Sequence, residues 1–259
     1  MKIILLVSAF AAAFLASAVP SFGQAPAPTM LNVAHLRIKP EHLQDFLDLE
    51  RQVAGQIKKG APTDLFRVVY RGTVGNTTDF EVLTPLRKFA DRDGENPLNK
   101  YATEQERVMR GARLAQYEQN VQVTIDRTLP DFGIAPQGQL VPPTFTHIIR
   151  LRVRNGGNEE FAALVKNDLV PGLKKEDVKL LLVRRTVLGG VGDYFFATGM
   201  EKWAEMDNPQ SLSKAMGPEA YKKMEDKLNS LITLREDTIW RYQADLSYYP
   251  GAAASTSSR

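Results

Sequence analysis

The chain has no cysteine, and only three histidines and two tryptophans in 259 residues. Each scarcity removes a class of chemistry. Without thiols there is no disulfide, no thiolate nucleophile, no thiolate metal centre and no lipoprotein anchor, so stability must come from core burial. Three histidines do not suggest a multi-histidine metal site, and neither a metal nor a cofactor is expected. A large charge excess is missing too: 33 Lys+Arg stand against 30 Asp+Glu. That balance is no nucleic-acid footprint, and no nucleic-acid partner is expected. Long apolar runs are also lacking, with one exception at the N-terminus.

That exception is Ile3 to Val19, preceded by Met1-Lys2 and followed by small residues. It reads as a secretory signal over residues 1–23, cut after Ala18 or after Gly23. A membrane anchor is the alternative, but the run is short for a span and rich in alanine. The expected location is therefore the bacterial periplasm or exterior, with no membrane attachment after cleavage. Gln24 to Thr29 reads as a Pro/Ala leader, and the last residues, 250–259, as a small polar tail.

What remains is written twice. Leu36-Arg37-Ile38 is answered by Leu151-Arg152-Val153. At a constant offset of 114, Arg71 answers Arg185, Gly75 answers Gly189, Asp79 answers Asp193 and Phe80 answers Tyr194. Lys88-Phe89 answers Lys202-Trp203, and Ile125, Arg127 and Asp131 answer Ile239, Arg241 and Asp245.

Within each copy the hydrophobic period switches between two and 3.6 in the same order. In the first copy Leu31 to Lys39 alternates as a strand. Pro40 to Lys59 carries Leu43, Phe46, Leu47, Val53 and Ile57 at helical spacing, stopped by Gly60 and Pro62. Leu65 to Val74 and Asp79 to Thr84 form a hairpin across Gly75 to Thr78. Pro97 to Gln119 is a polar helix, and Val121 to Thr128 a closing strand.

The second copy repeats this with strand Phe145 to Arg154, helix Asn158 to Val170 ended by Pro171-Gly172, and strands Val178 to Leu188 and Asp193 to Gly199. Helix Pro218 to about Leu234 and strand Thr238 to Tyr242 complete it. The order β-α-β-β-α-β is the ferredoxin-like one. The repeats span 30–132 and 143–249, with 133–142 as a Gly/Pro/Gln linker, and the fold class is α+β.

Two tandem units of this kind, each with an aromatic segment after its third strand (Lys88-Phe89-Ala90 and Lys202-Trp203-Ala204), resemble the dimeric α+β barrel superfamily. The second half, from Glu201 to Pro250, looks like exported bacterial members of unassigned role. The resemblance implies two sheets closing face to face into a barrel, here within one chain, with further homo-oligomers open. It also implies a range of activities, including cofactor-free monooxygenases and haem-related oxidoreductases. Haem commonly takes a histidine carried on a helix, and neither second helix carries one.

Alternation divides the first strand of each repeat into two faces. Leu36 and Ile38, with Leu151 and Val153, suit packing under helices, which turns His35, Arg37, Arg150 and Arg152 toward the barrel interior. Arg71 and Arg185 join this candidate ligand-binding set from the second strands, although hairpin twist leaves their facing open.

Two readings stand for these arginines. They pair with carboxylates such as Glu81, Glu159, Glu160 or Asp193, or they await an anionic small-molecule ligand. His35 is the candidate acid or base. His147, on the apolar face with Ile149 and Leu151, reads as a satisfied core residue, and His42 as exposed. Phe89 and Trp203 read as packing residues, while Tyr194, Trp240 and Tyr242 stay ambiguous. Gly189 to Gly192 precedes a strand rather than a helix and so reads as a turn, not a phosphate loop. No catalytic motif is present, so three functions remain open: ligand binder, oxidoreductase, or a structural or partner-binding protein.

Overall fold

The computed structural model describes residues 29–134, 142–175, 178, 180–207 and 212–250. The signal, nearly all of the leader, most of the linker and nearly all of the tail lie outside the described residues.

The first repeat supplies β1 (Met30–Ile38), α1 (Leu43–Gly60), β2 (Val68–Val74), β3 (Asp79–Leu86), α2 (Glu104–Tyr117) and β4 (Glu118–Thr128). The second supplies β5 (Phe145–Val153), α3 (Asn158–Leu164), a π-helical turn (Val165–Leu169) and α4 (Val170–Lys175). After these come β6 (Leu181–Leu188), β7 (Tyr194–Met200), α5 (Leu212–Met216), α6 (Pro218–Leu231) and β8 (Ile232–Tyr242).

The strands close into one barrel in the order β1-β3-β2-β8-β5-β7-β6-β4. Each repeat contributes a four-stranded ferredoxin-like sheet, and the seams β2–β8 and β4–β6 join them. Every pairing is antiparallel, so β1 and β5, four steps apart around the ring, run the same way. The repeats are thus related by an approximate two-fold axis along the barrel. The C-terminal ends of β1 and β5 consequently open at the same mouth.

Several expected bounds differ: β2 begins at Val68 rather than Leu65, β4 at Glu118 rather than Val121 and β6 at Leu181 rather than Val178, and three further differences have a local cause. The helix expected to end at Pro171-Gly172 continues to Lys175. Proline lacks the N–H that an α-turn would need, and the π-helical turn just before it resets the bonding so that the chain passes through. The polar helix expected from Pro97 begins as a separate 3-10 turn, Pro97–Tyr101. α2 starts only at the capping box in which Thr103 and Glu106 satisfy each other's backbone N–H groups. β8 starts at Ile232 rather than Thr238, because Ile232, Leu234, Arg235, Glu236 and Asp237 all pair with β5, with Thr233 bulged between the first two.

Helices cover the outside of the barrel. In the first repeat Leu36, Ile38, Val69 and Phe80 pack on Phe46 of α1. In the second, Leu151, Val183, Tyr194 and Phe196 pack on Phe161 and Leu164 of α3 and Met224 and Leu231 of α6. Each fully buried phenylalanine contributes about 1.5–3 kcal/mol.

The end of each repeat plugs the core of the other. Phe132 packs in the second repeat's cluster and Leu246 in the first's. Ile134 bridges Leu181 just as Tyr248 bridges Arg67, with paired backbone hydrogen bonds of 2.9 and 3.0 Å, and of 2.7 and 2.7 Å. Arg67 also forms a buried ion pair with Glu50. The two repeats therefore form one folding unit. Among the described residues no helix is long and apolar enough to cross a membrane.

Candidate functional site

With the apolar faces of β1 and β5 committed to the helices, their polar faces line a cavity of about 470 Å³ in the mouth of the barrel. His35 and Arg37 enter it from β1, and Arg150 and Arg152 from β5, as the alternation requires. Arg71 and Arg185 do not. They lie on the outer face, each bonded to a carbonyl of its own hairpin turn, Arg71 to Thr77 O at 2.8 Å and Arg185 to Gly192 O at 3.4 Å. Their guanidiniums stack over the third-strand aromatics Phe80, at 5.7 Å, and Tyr194, at 5.0 Å. The duplication thus preserves a packing device there, worth about 0.5–2 kcal/mol.

At the rim each arginine already has a carboxylate. Arg37 donates Nε and Nη2 to Asp79 at 2.7 and 2.9 Å. Its two-fold counterpart Arg152 does the same to Asp193 at 2.8 and 3.0 Å. Arg150 bridges Asp193, at 2.7 Å, and Glu236, at 3.0 Å. Burial pushes Asp193 up, but the two arginines outweigh it and hold its carboxyl below the usual range. The hydrogen bond that Arg37 donates to Asp79 raises Arg37 in turn. Asp79, Glu81, Asp193 and Glu236 face Arg37, Arg150 and Arg152, so the lining carries no positive excess.

The floor is asymmetric. His35 Nδ1 lies 3.1 Å from Glu81 Oε1. Glu81, on the neighbouring β3, accepts two bonds from Arg184 Nη2, at 2.9 and 2.7 Å. Arg184 Nη1 donates to Asp126 at 2.8 Å, and Thr124 Oγ1 donates to the same carboxylate at 2.9 Å. Burial alone would push Glu81 up. Arg184 and His35 win, and its carboxyl is held down to about 2. Facing this polar wall stand Phe195, with Arg184 over its ring at 4.4 Å, and Trp240, whose indole N–H donates to Thr238 at 2.9 Å. Below them Tyr70 is pushed up to about 12 by burial.

Sequence reasoning did not single out Arg184, Asp126, Phe195, Thr238 or Glu236. His147 meets Asp237 at 3.1 Å on the outer face, and His42 sits beside Asp45 and the Tyr117 ring. Neither belongs to the cavity. Among the described residues no group of three or more histidine, cysteine, aspartate and glutamate side chains could hold a metal ion.

No protein-family model and no curated protein matches the sequence. Solved structures do match in fold. A candidate monooxygenase from Fusobacterium nucleatum has a TM-score of 0.58 at 13% identity, covering 84% of this chain and 94% of its own. An anthrone oxidase-like protein gives 0.58 at 12%, covering 86% and 94%. A mutant chlorite dismutase from Candidatus Nitrospira defluvii, in complex with cyanide, gives 0.52 at 9%, covering 85% and 92%. At such identities the likeness is one of fold.

Proposed function

Taking as premise a dimeric α+β barrel closed within one polypeptide, we propose that the chain binds one small, flat, uncharged organic molecule in the barrel mouth. His35 reads the molecule's polar edge. The observation that carries this is the asymmetric floor. An imidazole is held at Nδ1 by an ionised glutamate while Nε2 makes no hydrogen bond among the described residues, and Phe195 and Trp240 line the same cavity.

A buried carboxylate beside an imidazole stabilises the imidazolium formed when the ring accepts a proton. The site is therefore suited to polarise, or to deprotonate, a hydroxyl or an activated C–H. The rim arginines do not favour an anion, because each is already paired and a new carboxylate would compete with Asp79, Asp193 or Glu236.

Probes of one shape and different charge test this. 1-Naphthol should quench the fluorescence of Trp240 and bind at least about tenfold tighter than 1-naphthoate, a difference of about 1.4 kcal/mol. Trp240→Phe, leaving Trp203, should lose the quench. Equal or tighter binding of the naphthoate, or no binding of either, would contradict the proposal.

The second reading, a cofactor-independent oxygenase, draws on the same His35–Glu81 pair and on the monooxygenase and oxidase names of the fold's neighbours. It predicts dioxygen uptake that depends on substrate and is lost in His35→Ala. The haem-related alternative has no feature of this cavity in its support. Export to the periplasm or exterior stays part of the proposal on the strength of residues 1–23.

A further inference from the structure

Behind the His35–Glu81 pair stands a buried couple that the proposed chemistry does not itself touch. Arg184 starts on β6 and reaches Glu81 on β3 across the interior, joining the second repeat to the first. None of the four ionisable members of this network is duplicated. At equivalent positions of the other repeat, Arg184 is answered by Tyr70, Glu81 by Phe195, Asp126 by Trp240 and His35 by Arg150. Among the described residues there is therefore one such network, not two. Glu81 and Asp126 together outnumber Arg184 by one charge, and the adjacent imidazole can supply the missing cation by taking up a proton.

We propose that Arg184 is a positioning residue that sets the proton affinity of His35 through Glu81, and that Asp126 opposes it. Arg184 pins both oxygens of Glu81 and spends part of its negative charge. Asp126, anchored by Thr124, in turn spends part of the charge of Arg184. The inference rests on His35 being the proton acceptor of the proposed site.

The other charged or titratable groups near His35 are Arg37 with Asp79 at the rim, and Arg150 with Asp193 and Glu236 from β5, β7 and β8. Tyr70 on β2 lies beside Glu81 below. Apart from Tyr70, which is uncharged in the neutral range, these groups are held in pairs. They leave Arg184 and Asp126 as the unequal term.

Proton NMR of the imidazole C–H resonances tests this on the ligand-free full chain, with His42 and His147 as internal references. Arg184→Met should move the His35 midpoint up by about one pH unit or more, since a nearby charge shifts a titration by about 1–3 units. Arg184→Lys should stay between that variant and wild type. Asp126→Asn should move the midpoint down. If the two neutralising variants leave it unchanged, or move it the same way, the inference is overturned. If Arg184→Met does not fold, Asp126→Asn decides alone: a downward shift supports the coupling, and an unchanged or upward midpoint removes it. Because no ligand is present, naphthol binding can fail while this coupling holds, and the reverse, so the two claims are separable.

Discussion

Glu81→Gln removes the ionisation of the buried network while nearly keeping its shape. In the folded chain the Glu81 carboxyl sits at about 2, against an ordinary 4.5. A depressed carboxylate contributes stability that is fully present above the unfolded value and is lost as pH falls through the folded one. The window here is therefore from about pH 5 down to about pH 2. A gap of that size corresponds to about 3 kcal/mol lost by pH 2, and full burial means that solvent screening does not reduce it.

Urea unfolding from pH 6 to pH 2 reads this directly. The other carboxylates titrate in both proteins and cancel in the comparison. Wild type should lose about 3 kcal/mol more than Glu81→Gln over that range, although the variant is less stable at neutral pH because Arg184 keeps one carboxylate instead of two. Parallel pH profiles for the two proteins would refute the reasoning and show that Glu81 is not held ionised by the fold.

The cross-plugged ends predict that Leu246→Ala costs about 2–5 kcal/mol although it lies beyond the last strand, and that residues 30–134 alone do not fold cooperatively, checked by denaturation. The duplicated hairpin turns should respond unequally to alanine. A Cβ on Gly189 would lie 2.3 Å from Val123 O at φ +80°, whereas one on Gly75, at φ +101°, meets nothing within 4 Å. Gly75→Ala should therefore cost about 1–2 kcal/mol and Gly189→Ala clearly more, measured as a shift in Tm. Asp193→Asn should release Arg150 and Arg152 and improve 1-naphthoate binding about tenfold, an affinity gain that fluorescence titration checks.

The architecture was legible because duplication places the same period changes and the same turn residues at one spacing, and only a repeated supersecondary unit does that. His35, Arg37, Arg150 and Arg152 were also legible. Toward the C-terminal ends of β1 and β5, Leu36, Ile38, Leu151 and Val153 alternate with His35, Arg37, Arg150 and Arg152, and the period of two sends the two sets to opposite faces.

Arg184 was not legible, because it adjoins Arg185 and a hairpin strand with arginine on both faces has no pattern to read. Asp126 had a signal that went unused. Val121, Val123 and Ile125 alternate with Gln122, Thr124 and Asp126, which places the polar set together. In this barrel the polar set faces inward and Val121 and Val123 stay exposed, the reverse of the usual rule for a half-buried strand. Charge pairing was beyond reach as well. Sequence offers arginines and carboxylates, but only the register, with Arg37 opposite Asp79, shows which guanidiniums are already spoken for.

The most direct measurement is a crystal structure of the chain soaked with 1-naphthol. The account predicts a single molecule per chain, its ring against Phe195 and Trp240 and its hydroxyl within hydrogen-bond distance of His35 Nε2. An empty barrel mouth under saturating naphthol, or a ring bound between helices and sheet with His35 untouched, would contradict it.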